Sequence, residues 1–484
     1  MPSPRPAALF AGLSLAALAL AACASSRPPK VDLPAAYEAP APGGLAVEAL
    51  DRWWTAFDDA ELTGLVEQAL AASPDARSAA AVLDEARATA RSALTQFLPQ
   101  GDATASTQKT HSEQLSGTVV NIPGFSTSGT SERSAANFDV SWEVDLVGRF
   151  FAVNKAARGD QAAARFEYEG ARASLAANVA DAYFQARGLA IQLDDANETV
   201  RIQSELEDVA AKKAERGLGA RADADRVAGD LAQARSQAAT LGAELQAARR
   251  TLLVLVGQGT RPIASVPAPP SVGAIPPVPA TTPSELLARR PDIREARARL
   301  ASAAGRSDVA LLAFFPTFTF TPQLGWSKLK EPGFGATTQT WSLGGSVTQP
   351  ILSIPRLLYE LKAQNARTRQ AAIAYEKTVQ TAFGEAESAM VRLDADRRGV
   401  DLLSAGEARA RRAYEAARTR YGLGLDDLES VLGAERAWRT TRSALTTAQV
   451  QGLRRAVQTY KALGGGWPAQ SLSAKLQAAK RPAG

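Results

Sequence analysis

The chain has 484 residues and a formal net charge of +5, from 55 Lys and Arg against 50 Asp and Glu, a length that fits two to four ordinary domains. Its charges of both signs interleave along helical stretches and no basic patch with interleaved aromatics is visible, which argues against nucleic-acid binding. One Cys excludes an intrachain disulfide, and one His with two Met leaves little for soft-metal ligation.

At the N-terminus, Arg5 supplies a positive region, residues 7–22 are apolar, and Leu20-Ala21-Ala22-Cys23 follows. The apolar run falls short of the roughly 20 residues of a spanning helix and suits a signal peptide. Cys23 stands where the lipobox of bacterial lipoproteins places its acceptor, and a thiolate is nucleophilic enough to take the lipid. Residues 1–22 are expected to be a signal peptide and Cys23 the lipidation site; the alternative is an ordinary signal peptide with a chance Cys. Ala24, not Asp, follows Cys23, which points to export to the outer membrane. No other run reaches about 18 apolar residues, so no α-helix is expected to cross a membrane. No cofactor is expected beyond the covalent lipid.

The rest of the chain is duplicated. Pro74-Asp75 and Leu98-Pro99 recur 217 positions later as Pro291-Asp292 and Phe315-Pro316, and Gly217-Leu218-Gly219 recurs 205 positions later as Gly422-Leu423-Gly424. Such a period is too long for a solenoid. It fits two half-proteins, each a helix, a strand pair and a long helical hairpin. The difference between the two offsets belongs in the loop between the paired strands, where insertions are absorbed. The expected divisions are an extended lipidated segment 23–57, then a first repeat 58–256 with strands near 98–148 and a hairpin over 149–256. A Pro-rich linker 257–283, a second repeat 284–467 with strands near 316–350 and a hairpin over 355–463, and a disordered tail 468–484 follow.

Residues 137–146 place Phe138, Val140, Trp142, Val144 and Leu146 on one face and Asp139, Ser141, Glu143 and Asp145 on the other. Residues 317–326 set Phe318, Phe320, Leu324 and Trp326 against Thr317, Thr319, Thr321 and Gln323. Trp341, Leu343 and Val347 alternate with Ser342, Gly344, Ser346 and Thr348, and residues 100–108 alternate more weakly. Each run spans about 9–10 residues, the length of a tilted transmembrane strand. Strands of a soluble sandwich share this period, but four strands are few and the wet face carries acids. An open sheet edge in hydrocarbon leaves backbone groups unsatisfied, so four strands must share a barrel with other copies. Two copies give eight strands and an interior filled by side chains; three give a wider lumen, and three or more are favoured. Residues 109–134 and 327–340 read as exposed extracellular loops. His111, in the first, is assigned no role.

From 149 to 217, and again from 356 to 421, a helical pattern runs for nearly 70 residues, about 100 Å at 1.5 Å per residue. Such lengths belong to coiled coils. On the first return helix Val227, Leu231, Ala234, Ala238, Leu241, Leu245, Ala248, Leu252 and Leu255 form a heptad seam. Trp438, Thr441, Leu445, Ala448 and Gly452 repeat part of it. Each Gly-Leu-Gly supplies the left-handed turn that ends a helix. Asp223 and Asp426 are expected in the opening of the next helix, where negative charge suits the dipole. The two tips together read as a partner surface.

With these motifs in place, the chain resembles the TolC-like outer-membrane efflux factors, in particular the NodT-type lipoprotein branch found with resistance-nodulation-division pumps. The resemblance is carried by Trp53-Trp54-Thr55-Ala56-Phe57-Asp58-Asp59, by Leu286-Leu287-Ala288-Arg289-Arg290-Pro291-Asp292-Ile293-Arg294, by Pro316, by Thr348-Gln349-Pro350-Ile351 and by Gly464-Gly465-Gly466-Trp467. It implies a mainly α fold with a membrane β-barrel: a homotrimer whose twelve-stranded barrel, four strands per chain, continues into a long coiled-coil α-barrel. The linker 257–283 then lies in an equatorial domain. The implied function is the outer-membrane exit duct of a tripartite efflux pump, with no enzymatic activity. Its implied partners are a periplasmic adaptor (membrane fusion) protein, an inner-membrane pump of the resistance-nodulation-division type, and outer-membrane lipid.

The same resemblance matches Asp426 to an acid lining the closed periplasmic constriction, with Asp427 beside it. Arg216, Gly217, Leu218, Asp223 and Arg226 fit the adaptor-docking tip, and Gly422, Leu423 and Gly424 form the second tip. Two departures stand out. Ser353-Ile354-Pro355-Arg356 replaces a Gly-containing turn, and Arg221 occupies the first-half position that corresponds to Asp426, which argues against a gate built symmetrically from both repeats. The exit duct of a type I protein-secretion system is one alternative. A lipid-anchored periplasmic coiled-coil scaffold that does not span is another, of a different class.

Overall fold

The computed structural model describes residues 28–39, 50–113, 115–116, 129–217, 219–277, 281–331 and 333–466. The expectations for the signal peptide, Cys23, Leu218 and the tail 468–484 lie outside the described residues. A 3-10 turn, Trp53–Phe57, precedes α1 (Ala60–Ala72), α2 (Pro74–Thr95), β1 (Gln100–Ser112), β2 (Gly129–Val144), α3 (Arg149–Glu215) and α4 (Arg221–Leu255). Then come α5 (Pro283–Arg289), α6 (Pro291–Leu312), β3 (Thr317–Glu331), β4 (Phe334–Thr348), α7 (Ile354–Gly422) and α8 (Leu428–Ala462). The corresponding helices agree closely in length: α2 and α6 have 22 residues each, α4 and α8 have 35 each, and α3 and α7 have 67 and 69. The strand connections do not agree. Residues 113–128 join β1 to β2, whereas 332–333 suffice between β3 and β4.

The chain forms two compact units that do not coincide with the two repeats. One gathers residues 84–163 and 296–375, the other 30–83, 164–295 and 376–466 of the described chain. Each therefore combines matching pieces of both halves.

In the first unit the four strands make one antiparallel sheet in the order β1-β2-β3-β4. The middle pairing, β2 with β3, joins the two repeats. Register aligns Ala103, Phe138, Leu324 and Trp341 in one row, and sets Trp142 opposite Phe320. On the other face Asp102, Asp139, Gln323 and Ser342 share a row. The apolar face is bare: Phe138, Leu324, Trp341, Leu343 and Val347 are all exposed.

The strands correct the expected loops. β1 runs on to Ser112 and β2 begins at Gly129, with Lys109, Thr110 and His111 opposite Glu132, Ser131 and Thr130. Likewise β3 and β4 stay paired to Glu331 and Phe334. Side-chain alternation reports only where a face is apolar, whereas a ladder continues wherever backbone groups find partners. At the other end the strand stops earlier than alternation suggests. Asp145 is not on a strand face; its Oδ1 accepts the N–H groups of Val147, Gly148 and Arg149 and its Oδ2 that of Phe150, which opens α3.

Next to the sheet, α3 and α6 cross at glycines. A Cβ on Gly159 would lie 2.6 Å from the Ser302 backbone, and one on Gly305 would lie 2.5 Å from that of Ala156. Arg149 donates to the carbonyls of Leu312 (3.3 Å) and Phe315 (3.0 Å) and so satisfies the end of α6. The Ser-Ile-Pro-Arg departure is accommodated because Pro355 falls in the first turn of α7, where no N–H is required.

In the second unit the N-terminal and C-terminal motifs meet. Trp53 is fully buried and stacks on Tyr460 with ring centres 5.8 Å apart. Gly466 N–H donates to Leu50 at 2.8 Å, and a Cβ on Gly465 would lie 2.7 Å from the Tyr460 carbonyl oxygen. The glycine run is therefore the space into which Trp53 packs. Tyr37 stacks on Phe383 of α7 at 5.8 Å, which lays the N-terminal segment along that helix. The linker packs on α8, with Ile275 against Gly452 and Tyr460 donating to the Pro277 carbonyl at 2.7 Å. Val227, Leu231, Leu241, Leu245 and Leu252 of the heptad seam are buried.

Candidate functional site

Both hairpin tips lie in the second unit. In the first, α3 ends at Glu215, Gly217 turns left-handed (φ 70°) and α4 opens at Arg221 with Asp223 in its first turn. In the second, α7 runs through Gly422 and the left-handed residue is Gly424 (φ 74°). There the N–H of Gly424 donates to Tyr421 O at 3.0 Å and that of Leu425 to Arg420 O at 2.9 Å. Leu425 thus closes the six-residue ring that caps a helix C-terminus. Identical tripeptides end their helices at different glycines, and the second tip is displaced along the chain by two residues.

That displacement moves the acids. Asp426 does not open the return helix, contrary to expectation. α8 begins at Leu428, and Asp427 is its cap, accepting the Ser430 N–H at 2.8 Å. Hydrogen bonds from the Ser430 side chain and backbone hold the Asp427 carboxyl below the usual carboxylate range. Asp426 instead faces back to α7. Arg420 Nε lies 2.9 Å from its Oδ2 and Nη2 lies 3.4 Å from Oδ1. Each chain therefore presents this carboxylate already paired.

Other contacts tie the two hairpins together. Arg226 of α4 reaches Glu429 of α8 at 3.2 Å, and Lys213 of α3 donates to the Tyr421 hydroxyl at 3.0 Å. Arg226 is thus occupied within the chain. Arg216, Gly217, Asp223, Gly422 and Gly424 are exposed, as are Leu423 and Leu425. Leu425 escaped sequence reasoning, although an apolar residue between Gly424 and Asp426 in a turn is itself a signal, since nothing local could bury it.

Behind the tips, Tyr414 stacks on Trp438 at 5.2 Å, and Trp438 Nε1 donates to Glu407 at 2.8 Å. Glu435 is fully buried, accepts from Gln203 Nε2 at 3.0 Å and lies 3.4 Å from Arg439. Burial pushes its pKa up against the pull of Arg439. A folded-state pKa above the unfolded one penalises the ionised fold at high pH and relieves it as pH falls. Glu435→Gln is therefore expected to stabilise the protein by about 1 kcal/mol at pH 8, with the gain disappearing on acidification. The new amide would also serve Gln203 Oε1, which has no donor among the described residues. Thermal melting in detergent at two pH values checks this, and a less stable variant at pH 8 would refute it. A groove of about 1060 Å³ lies elsewhere in this unit, and in its lining Arg290 pairs with Glu385 and Arg454 with Asp181.

Comparison with known proteins agrees with this architecture. The family model described as outer membrane efflux protein matches residues 65–258 and 282–465. The pyoverdine export outer membrane protein OpmQ of Pseudomonas aeruginosa is 29% identical over 470 residues, covering 93% of this chain and 96% of that protein. Outer membrane protein OprJ of the same organism is 29% identical over 473 residues, covering 94% and 96%. The open-state MtrE outer membrane channel of Neisseria gonorrhoeae superposes with a TM-score of 0.78 at 25% identity, covering 92% of this chain and 98% of that one. The chain belongs to the outer membrane efflux protein family, and is an outer-membrane efflux channel of the TolC-like fold.

Proposed function

We propose that three copies of this chain, lipidated at Cys23, close one twelve-stranded barrel and form the passive exit duct of a tripartite pump for small molecules. The observation that carries this reading is the sheet. β1 and β4 are its outer strands, each with one edge that no other strand pairs among the described residues, and the face with Phe138, Leu324 and Trp341 is bare. In hydrocarbon such edges are tolerated only when another copy continues the ladder. Eight strands from two copies would leave an interior filled by side chains; twelve leave room for water along the row of Asp102, Asp139, Gln323 and Ser342. The export of pyoverdine, a small molecule, by the relative OpmQ supports small-molecule efflux over protein secretion.

Energy comes from an inner-membrane pump, of the resistance-nodulation-division type by family resemblance, through a periplasmic adaptor. The adaptor docks on the tips, where Arg216, Asp223, Leu423 and Leu425 are exposed. The gate is the ring of Asp426 carboxylates, each neutralised by its own Arg420. Opening requires α7 and α8 to move against α3 and α4, which strains Arg226–Glu429 and Lys213–Tyr421.

In planar bilayers Arg420→Ala is expected to expose bare carboxylates at the constriction and raise cation selectivity and conductance several-fold, since like charges close together repel. Arg420→Ala with Asp426→Ala loses the added selectivity. Unchanged currents in both variants would remove Asp426 from the gate. A delipidated protein that stays monomeric and soluble without detergent would sink the duct itself.

A further inference from the structure

The strands contain four basic residues, Lys109, Arg133, Lys328 and Lys330. Register places three of them on the apolar face. Lys109, Glu132 and Lys330 share one row, and Lys328 lies in the row between them and Trp326. All three lysines are exposed, and among the described residues none forms an ion pair, even with Glu132 beside them. Only Arg133 lies on the face that carries Asp139.

The lysines are also confined to one end. They sit at the hairpin end of the sheet, beyond the bare Trp326 and Trp341. At the opposite end the same face carries Val144, Phe318 and Val347 and no cation. Just past that end of β2, Arg149 is bound to Glu143 and to two carbonyls of the α6 end. Strands rise about 3.3 Å per residue, so with the usual barrel tilt Lys328 and Lys330 stand roughly 5 and 10 Å above Trp326. Tryptophan marks the edge of the hydrocarbon, and long lysine stems lift their ammonium groups just past it.

We infer that Lys109, Lys328 and Lys330 form a lipid-binding band for the phosphate groups of the glycolipid in the outer leaflet. The inference rests on the reading that this sheet spans the membrane with its hairpins outward. Charge selects the occupant: on this face of the strands each chain sets three ammonium groups against one carboxylate, Glu331 falling on the opposite face, and that balance favours an anion. Position selects the leaflet. Phospholipid phosphates in the inner leaflet would meet the opposite end of the sheet, which has no free cation on this face among the described residues. The outer leaflet carries its phosphates on a saccharide headgroup at the hairpin end.

The test uses purified channel in detergent, native mass spectrometry, and three probes: bis-phosphorylated lipid A, its dephosphorylated form, and phosphatidylglycerol. The wild-type protein is expected to hold bis-phosphorylated lipid A about tenfold more tightly than the variant with Lys109→Gln, Lys328→Gln and Lys330→Gln. It should prefer it over both other probes, and the corresponding triple Arg variant should behave as wild type. Equal retention by wild type and Gln variant overturns the inference, as does indifference to dephosphorylation or equal retention of phosphatidylglycerol. Single-channel recording of the Gln variant separates the failures. Normal currents with unchanged lipid retention reject only the lipid band, whereas failure of the wild type to insert rejects the spanning sheet.

Discussion

The Arg294→Met variant is expected to lose about 3 kcal/mol of stability at pH 8 and to recover part of it as the pH falls. Glu169 is fully buried between two arginines, with Arg165 Nε at 3.1 Å and Arg294 Nη1 at 3.0 Å. Arg165 is partly open to water, whereas Arg294 is nearly enclosed and lies over the Phe166 ring at 4.2 Å. Burial already pushes the Glu169 pKa up, and Arg294 is the strongest influence holding it down. Removing Arg294 leaves a buried carboxylate with one half-solvated partner, the situation in which a broken ion pair costs most.

The sign of the pH dependence follows from proton linkage. Glu169 binds its proton more tightly folded than unfolded, so the ionised fold is penalised above the folded-state pKa and relieved below it. Losing Arg294 raises that pKa further. The gap between variant and wild type is therefore widest at pH 8 and narrows toward pH 5. Adding Glu169→Gln should restore most of the loss, because a neutral amide needs no counter-charge. Urea unfolding in detergent at both pH values measures this. A single variant within 0.5 kcal/mol of wild type at pH 8 would show that Arg165 alone satisfies Glu169.

The second large effect is steric. Gly305→Ala and Gly159→Ala are each expected to destabilise by about 2 kcal/mol, even though alanine is the better helix former by about 1 kcal/mol. The new methyl groups would lie 2.5 and 2.6 Å from backbone nitrogen atoms of Ala156 and Ser302, which cannot rotate aside. The helices must separate, which also strains the Ser302–Asp160 hydrogen bond of 2.7 Å. Both glycines serve one crossing, so their effects should be less than additive: the first substitution opens the space that the second needs. Melting midpoints of the two single variants and the double variant give the coupling directly. Full additivity would mean that the two contacts yield independently.

How much was legible in the sequence differs from element to element. The long helices and the return-helix seam were legible because period 3.5 in Val227, Leu231, Leu241 and Leu245 is a local property of the chain. The faces of β2, β3 and β4 were legible from period two. The strand ends were not, since Thr110 and His111 pair through backbone groups whatever their side chains. The most specific motif was legible as a string but not as a device. Arg290 binds Asp292, Glu385 and the Ala462 carbonyl, while Arg294 holds Glu169. Three of those four partners are distant in the chain, and no local pattern names them.

The tips show the same division. Sequence identity placed both turns, but it carried Asp426 to a helix opening that Asp427 occupies. The choice of which glycine turns left-handed shifted the register by two residues and brought Asp426 to Arg420. What the sequence by itself determined is the duplication, the helix and strand periods and the wet and greasy faces, because each is set by neighbours a few residues apart. Only the tertiary structure decided the strand lengths, the Gly159–Gly305 crossing, the charge paired with Asp426 and the partners of Arg290 and Arg294. Those depend on backbone ladders, on which glycine of a turn is left-handed, and on close approach and buried charge between helices, as where Arg294 meets Glu169 and Gly305 meets Ala156 from opposite halves of the chain.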